Sequence, residues 1–419
     1  MRRVKTGLLA LALASGAGSA FAQVNFNDYV SVGDSLAAGF SSGSLVETHQ
    51  RNSVPALLAR QAGLPRFEQP TVSEPGIPVE LTLVTLSPRT IIAPKASAPG
   101  SPTNLALPRP YNNLAVPGAT SIDALETVSD DGGFHDMILR GIGTQVQQAK
   151  LLRPSFITLW IGNNDVLGAA IAGRAVYGVT LTPTAVFADV YRSIVAELQA
   201  SGAQIVAANL PDVTAIPFVT TIPPVVVNPA TRQPVQVNGA SVPLIGPSGP
   251  LPSNTLVTLA AASLLAKGVG IPKELGGAGT PLPDEVLLDA NERSVIREHV
   301  AADNQAIADV CAAARIPVVD LNAVLNELNA RGREVGGIHL TSDFLTGGIF
   351  SYDGIHLTDL GYAIVANEWI DVINERSGGS LPLVDLSPFL SASAATRQPA
   401  RVEFSQEAWD NLREIFRVR

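Results

Sequence analysis

Residues 29–36 read Tyr29-Val30-Ser31-Val32-Gly33-Asp34-Ser35-Leu36, an apolar run that breaks into a glycine, a carboxylate and a serine. Asp28 to Val32 has the length and β-branched content of a buried strand. Three more short aliphatic runs share that character: Phe156 to Ile161, Gln204 to Asn209 and Ile316 to Leu321. A helical pattern at Ala185 to Ala200 precedes the third, and another at Val295 to Ala314 precedes the fourth. Strands alternating with helices predict an α/β fold around a parallel sheet. In such sheets ligands bind beyond the carboxyl ends of the strands. Gly33-Asp34-Ser35 and Gly162-Asn163-Asn164-Asp165 each follow a strand directly, so both belong at that edge.

A serine there presents its hydroxyl outward, and its backbone N–H can face a developing oxyanion. Four common residues are weak evidence by themselves, and Gly-Asp-Ser-Leu alone reads equally well as a turn. The missing base stands far along the chain, in Ser351-Tyr352-Asp353-Gly354-Ile355-His356-Leu357. A carboxylate three residues before a histidine can accept from its Nδ1–H within one tight turn. Nε2 is then free to take a serine proton. A serine hydroxyl needs such a base because it is a weak nucleophile near neutral pH.

Gly-Ile-His-Leu occurs twice, at 337–340 and 354–357, and the two copies discriminate themselves. Gly336 stands three residues before His339 and cannot orient a ring, whereas Asp353 stands before His356. His339 is therefore expected to be a loop or surface residue, as are His49, His135 and His299. No histidine pair has metal-ligand spacing, so neither metal nor cofactor is expected. Asn112-Asn113-Leu114-Ala115-Val116-Pro117-Gly118-Ala119 ends in a glycine whose bare N–H can approach an oxyanion, and Asn164 offers a side-chain amide.

In this order, the four segments resemble the signature blocks of the SGNH, or GDSL, hydrolases. The resemblance implies a nucleophile at Ser35, an acid and base at Asp353 and His356, and oxyanion donors at Ser35, Gly118 and Asn164. It also implies a three-layer α/β/α sandwich with about five parallel strands, spanning about residues 25–374 apart from insertions. Asp34 and Asp165 fall in the same blocks and read as carboxylates that organise loops. Asn209-Leu210-Pro211-Asp212 resembles a segment that shapes the site's edge in some members. The chain departs from the family pattern in length, with 83 residues separating Ser35 from Gly118.

Two insertions account for the added length. Pro70 to Pro110 is crowded with prolines and predicts an irregular excursion rather than regular helix. Pro217 to Pro252, with Val225-Val226-Val227 and Asn238-Gly239, predicts a protruding hairpin or arm. Its valines, with Ile222, Leu244 and Ile245, can form an apolar lid for an acyl chain; the simpler expectation is that the arm covers its own sheet edge or meets another subunit. Beyond Ser377-Gly378-Gly379-Ser380 the pattern changes, giving a hydrolase domain at 23–376 and an extension at 377–419. Trp409, Leu412, Ile415 and Phe416 have amphipathic helical spacing, which predicts a helix packed back on the domain.

Arg2, Arg3 and Lys5 precede a short apolar stretch and Ala20-Phe21-Ala22, which reads as a signal peptide over 1–22. That stretch is shorter than a membrane span, so an exported chain without a transmembrane segment is expected, in a periplasm or outside the cell. A net charge of −9 without a basic stripe argues against nucleic acid as partner. The single cysteine, Cys311, cannot form an internal disulfide and reads as a core residue. The expected activity is hydrolysis of a small-molecule or lipid ester through an acyl-enzyme on Ser35. Acyl transfer by the same intermediate and a non-catalytic binding role are the alternatives, and the sequence leaves oligomeric state unknown.

Overall fold

The structure, a computed structural model, describes residues 24–85, 90–229, 231, 233–390 and 402–415. The signal-peptide expectation at 1–22 and Phe416 lie outside the described residues. Four strands form the central sheet: β1 (Tyr29–Gly33), β2 (Phe156–Trp160), β3 (Gln204–Ala208) and β4 (Val318–Val319). They lie in that order, and every neighbouring pair is parallel. Every residue of β1 and of β2 is buried, which is why these strands read as unbroken apolar runs rather than alternating ones.

About five strands were expected, and the sheet has four. The difference lies at the free edge of β1, where residues 112–116 run alongside in parallel. Ser31 N–H donates to Asn112, and the N–H groups of Leu114 and Val116 donate to Ser31 and Gly33 (2.8, 2.9 and 3.1 Å). Only Ser31 and Asn113 pair as a bridge. Pro117 ends this edge, and the Asn113 side chain leaves it to donate to the carbonyl of Ala37 (3.0 Å).

Helices cover both faces, giving a three-layer α/β/α sandwich. The helix α1 (Ser35–Ala38) starts directly after β1, and α2 (Asn164–Ala172) follows β2 across a short loop. The helix α3 (Thr184–Gln199) buries Phe187, Tyr191, Ile194, Val195 and Leu198, one stripe at helical period, and packs against α4 (Ala290–Ala314). Asp289 and Glu292 close a capping box at the start of α4, whose buried face includes Val300, Ile307 and Cys311. The helix α5 (Asp359–Ser377) packs on the helix Val54–Gln61 and ends at Gly378, in the left-handed conformation that favours glycine.

The proline-rich insertion is more regular than expected. Leu81–Thr85 and Thr90–Pro94 form an antiparallel pair, and Val402–Phe404 joins it in parallel on Thr90–Ile92. The arm consists of two short ribbons, 236–237 with 240–241 and 245–246 with 249–250. Asn238 and Gly239 both take positive φ at the tip of the first, as a tight hairpin turn requires. Val226 and Leu244 point into the main core. The last described element, α6 (Gln406–Ile415), packs back on the domain.

Candidate active site

Ser35 stands where β1 gives way to α1, and Asp34 fixes that corner. The Asp34 carboxylate caps α1 by accepting from Leu36 N–H (3.1 Å), and it accepts from the Asn163 amide (2.8 Å). One buried side chain thus ties the turn after β1 to the turn after β2. Burial pushes the Asp34 carboxyl up to about 7, against the pull of Asn163 and Leu36.

His356 arrives from the far end of the sequence. Its Nε2 lies 2.9 Å from Ser35 Oγ, and its Nδ1 lies 2.8 Å from Asp353 Oδ2. With Nδ1–H donating to Asp353, Nε2 is left to accept the serine hydroxyl. Phe40 packs against the ring, centroids 4.8 Å apart, and restricts its tilt.

Asp353 is more than a partner for the ring. Its Oδ2 also accepts from Gly43 N–H (2.7 Å), while Oδ1 accepts from the N–H groups of Ile355 and His356 (both 2.8 Å) and from Ser351 Oγ (3.2 Å). Burial raises the carboxyl, but the His356 charge and these donors prevail and hold it at about 2. The anion is therefore fixed in place across the whole neutral range.

Gly118 has φ of 82°, which only glycine adopts without strain. Asn164 opens α2, and its amide donates to the carbonyl of Ala119 (2.8 Å). The next residue, Asp165, accepts from Ser121 N–H and Oγ (2.7 and 2.8 Å). These bonds lock the Gly118 loop to the start of α2. Burial carries Asp165 up to about 6 despite the donors from Ser121.

Gly118 and Asn164 border one cavity of about 1210 Å³. Ile77, Val79, Met137 and Val179 are among its apolar lining, and Asp123, Asp130 and His135 line it too. The walls come from the proline-rich insertion, residues 129–137 and 178–183, and α6, rather than from the 217–252 arm.

The other histidines sit elsewhere. His339 is exposed on a two-stranded ribbon and bonded to Glu334, His135 is held by Asp130, and His299 is buried near Asp303. His49 is tied between Glu80 and Asp359 (2.8 and 2.7 Å). Among the described residues no group of three or more His, Cys, Asp or Glu is placed to hold a metal ion. Among the same residues no helix is long and apolar enough to cross a membrane.

Sequence reasoning missed Asn163, Ser351, Gly43 and Phe40. The first two stand inside quoted segments, yet Asn163 meets Asp34 129 residues away, and Ser351, besides its local bond to Asp353, accepts from Ser42 N–H 309 residues away.

The fold is an α/β/α sandwich, and the Ser35–His356–Asp353 chain stands at the carboxyl edge of its sheet. The chain belongs to the GDSL-like lipase/acylhydrolase family, whose sequence profile matches residues 29–369. No curated protein matches it. Similar solved structures include a lipase/acylhydrolase from Enterococcus faecalis (14% identity, 85% of this chain and 98% of that one, TM-score 0.34). A phospholipase A1 from Streptomyces albidoflavus is similar at 13% identity, over 85% of this chain and 100% of that one, with TM-score 0.35. An extracellular lipase from Streptomyces rimosus is similar at 14% identity, over 83% and 98%, with TM-score 0.32.

Proposed function

We propose that the chain is an exported serine ester hydrolase that works through an acyl-enzyme on Ser35. The observation that carries this reading is the continuous chain Ser35 Oγ, His356 Nε2, His356 Nδ1, Asp353 Oδ2, with spacings of 2.9 and 2.8 Å. Ser35 attacks the ester carbonyl as His356 takes its proton. The N–H groups of Ser35 and Gly118 and the Asn164 amide receive the oxyanion, at roughly 3 kcal/mol per donor. The imidazolium, held by Asp353, then protonates the departing alcohol, and the neutral ring activates water for deacylation.

The apolar part of the cavity wall, which includes Ile77, Val79, Met137 and Val179, offers an acyl chain a place to lie. Export rests on Arg2, Arg3, Lys5 and the Ala20-Phe21-Ala22 site, with Gln23 as the first residue of the mature chain. The test is turnover of p-nitrophenyl esters of two to sixteen carbons by wild type and Ser35→Ala. Wild type is expected to turn them over and Ser35→Ala to lose ~10⁴-fold or more in kcat. Full activity in Ser35→Ala would overturn the reading.

A further inference from the structure

Ser35 is only 2% exposed and His356 is fully buried, although a substrate must reach both. The helix α6 lies against the surroundings of both. A methyl group built on Gly118 would lie 2.5 Å from the carbonyl oxygen of Ile415 and 3.8 Å from its Cγ2. Ile415 therefore rests on the glycine assigned to the oxyanion site. Its side chain also packs on a small apolar cluster that includes Ala37, Ala38 and Phe40, immediately after Ser35 in the chain. One turn and a half earlier, Trp409 stacks on Phe218, with ring centroids 5.6 Å apart and planes 18° from parallel. Phe218 N–H in turn donates to the carbonyl of Gly354 (2.9 Å), two residues before His356. The helix thus touches the Gly118 loop at one end and the surroundings of the histidine loop at the other.

We propose that segment 402–415 is the specificity-determining roof of this site: it covers Ser35 at rest and must shift before an ester carbonyl enters, which filters esters by size. The proposal rests on Ser35 being the nucleophile. Ten residues of helix are marginal in isolation, so α6 keeps its position through its contacts with the domain. Trp409 and Ile415 are both only partly buried, which makes such contacts inexpensive to open. The strand Val402–Phe404, paired with Thr90–Ile92, holds the segment beside the site while the helix moves. Asn411 and Ile415 border the same cavity as Gly118 and Asn164, so an acyl chain entering there competes with Ile415 for apolar ground. A ligand that binds only the open form bears the cost of opening in its apparent affinity.

The test is the second-order rate at which a short-chain and a long-chain fluorophosphonate label Ser35. Fluoride leaves as the serine oxygen bonds to phosphorus, so the rate reads access to the nucleophile. The chains compared are wild type, Trp409→Ala, a chain ending at Leu390, and Ser35→Ala as blank. If the open form is about a tenth of the wild-type population, removing the roof should speed long-chain labelling ~10-fold. The short probe should gain less, and Trp409→Ala should fall between wild type and the truncated chain. Because the truncated chain can fail to fold, the full-length Trp409→Ala result decides by itself. Ser35-dependent labelling that is unchanged or slower in Trp409→Ala would overturn the roof and leave the nucleophile standing. Labelling absent from wild type and both roof variants would overturn the Ser35 reading, and the roof with it.

Discussion

Asp353 collects donors from Gly43, Ser351, Ile355 and His356, and that collection holds its charge beside the ring. With its carboxyl held at about 2, it is ionised at neutral pH. The sign follows from linkage: a depressed carboxyl adds stability above its ordinary value near 4, and that stability is lost as pH falls through 2. The acid limb of kcat/KM against pH should accordingly carry no step from Asp353 above about pH 3. Asp353→Asn should cost ~10⁴-fold in kcat through loss of the correct tautomer. A variant within a few fold of wild type would remove Asp353 from the mechanism. Asn164→Ala should lower kcat by ~10²–10³ with little change in KM, because its amide bonds Ala119 at rest and strengthens its hold on the substrate oxygen only as charge develops there. A raised KM with unchanged kcat would assign Asn164 to ground-state binding. Ser35, His356 and Asp353 were legible because each carries a local mark, a strand end or a carboxylate at the right spacing. Asn163 and Gly43 carry none: their parts in holding Asp34 and Asp353 arise only when distant loops meet.

Elements follow the same division. The four central strands were legible because burial on both faces makes their sequence continuously apolar. Residues 112–116 were not read as a strand, since Asn112 and Asn113 interrupt the apolar pattern and Pro117 stops it. In the proline-rich insertion, Leu81–Thr85 and Thr90–Pro94 form a regular pair that the surrounding prolines hid. The helix α4 shows a cost that no pattern of hydrophobicity reveals. Asp303 is fully buried on it, 3.4 Å from His299 Nε2, and burial together with the nearby Asp165 carries its carboxyl up to about 7 despite Thr184. A carboxyl held protonated in the fold but ionised when unfolded makes the fold less stable as pH rises from about 4 to 7. Asp303→Asn keeps a donor toward His299 and removes that dependence. Its melting temperature should exceed wild type by more at pH 8 than at pH 5, by thermal denaturation. An equal change at both values would show that Asp303 does not titrate with folding.

At the scale of the whole molecule, two distant stretches converge on the edge that residues 29–36 define. Residues 351–357 bring the base, and the extension beyond Ser377 brings α6 over the Gly118 loop. The sequence announced an amphipathic helix at the end of the chain, but its landing place depends on a sheet with Thr90–Ile92 that no periodicity encodes. The 217–252 arm, read from sequence as covering its own sheet edge or meeting another subunit and alternatively as a lid, packs Val226 and Leu244 into the core and leaves the cavity walls to other segments. The central claim remains covalent chemistry at Ser35, and one measurement addresses it directly. Rapid quenching of the protein during p-nitrophenyl butyrate turnover, followed by peptide mass spectrometry, should find a butyryl ester on the peptide containing Ser35. Turnover that proceeds unchanged in Ser35→Ala, with no acyl group on that peptide in wild type, would contradict the account.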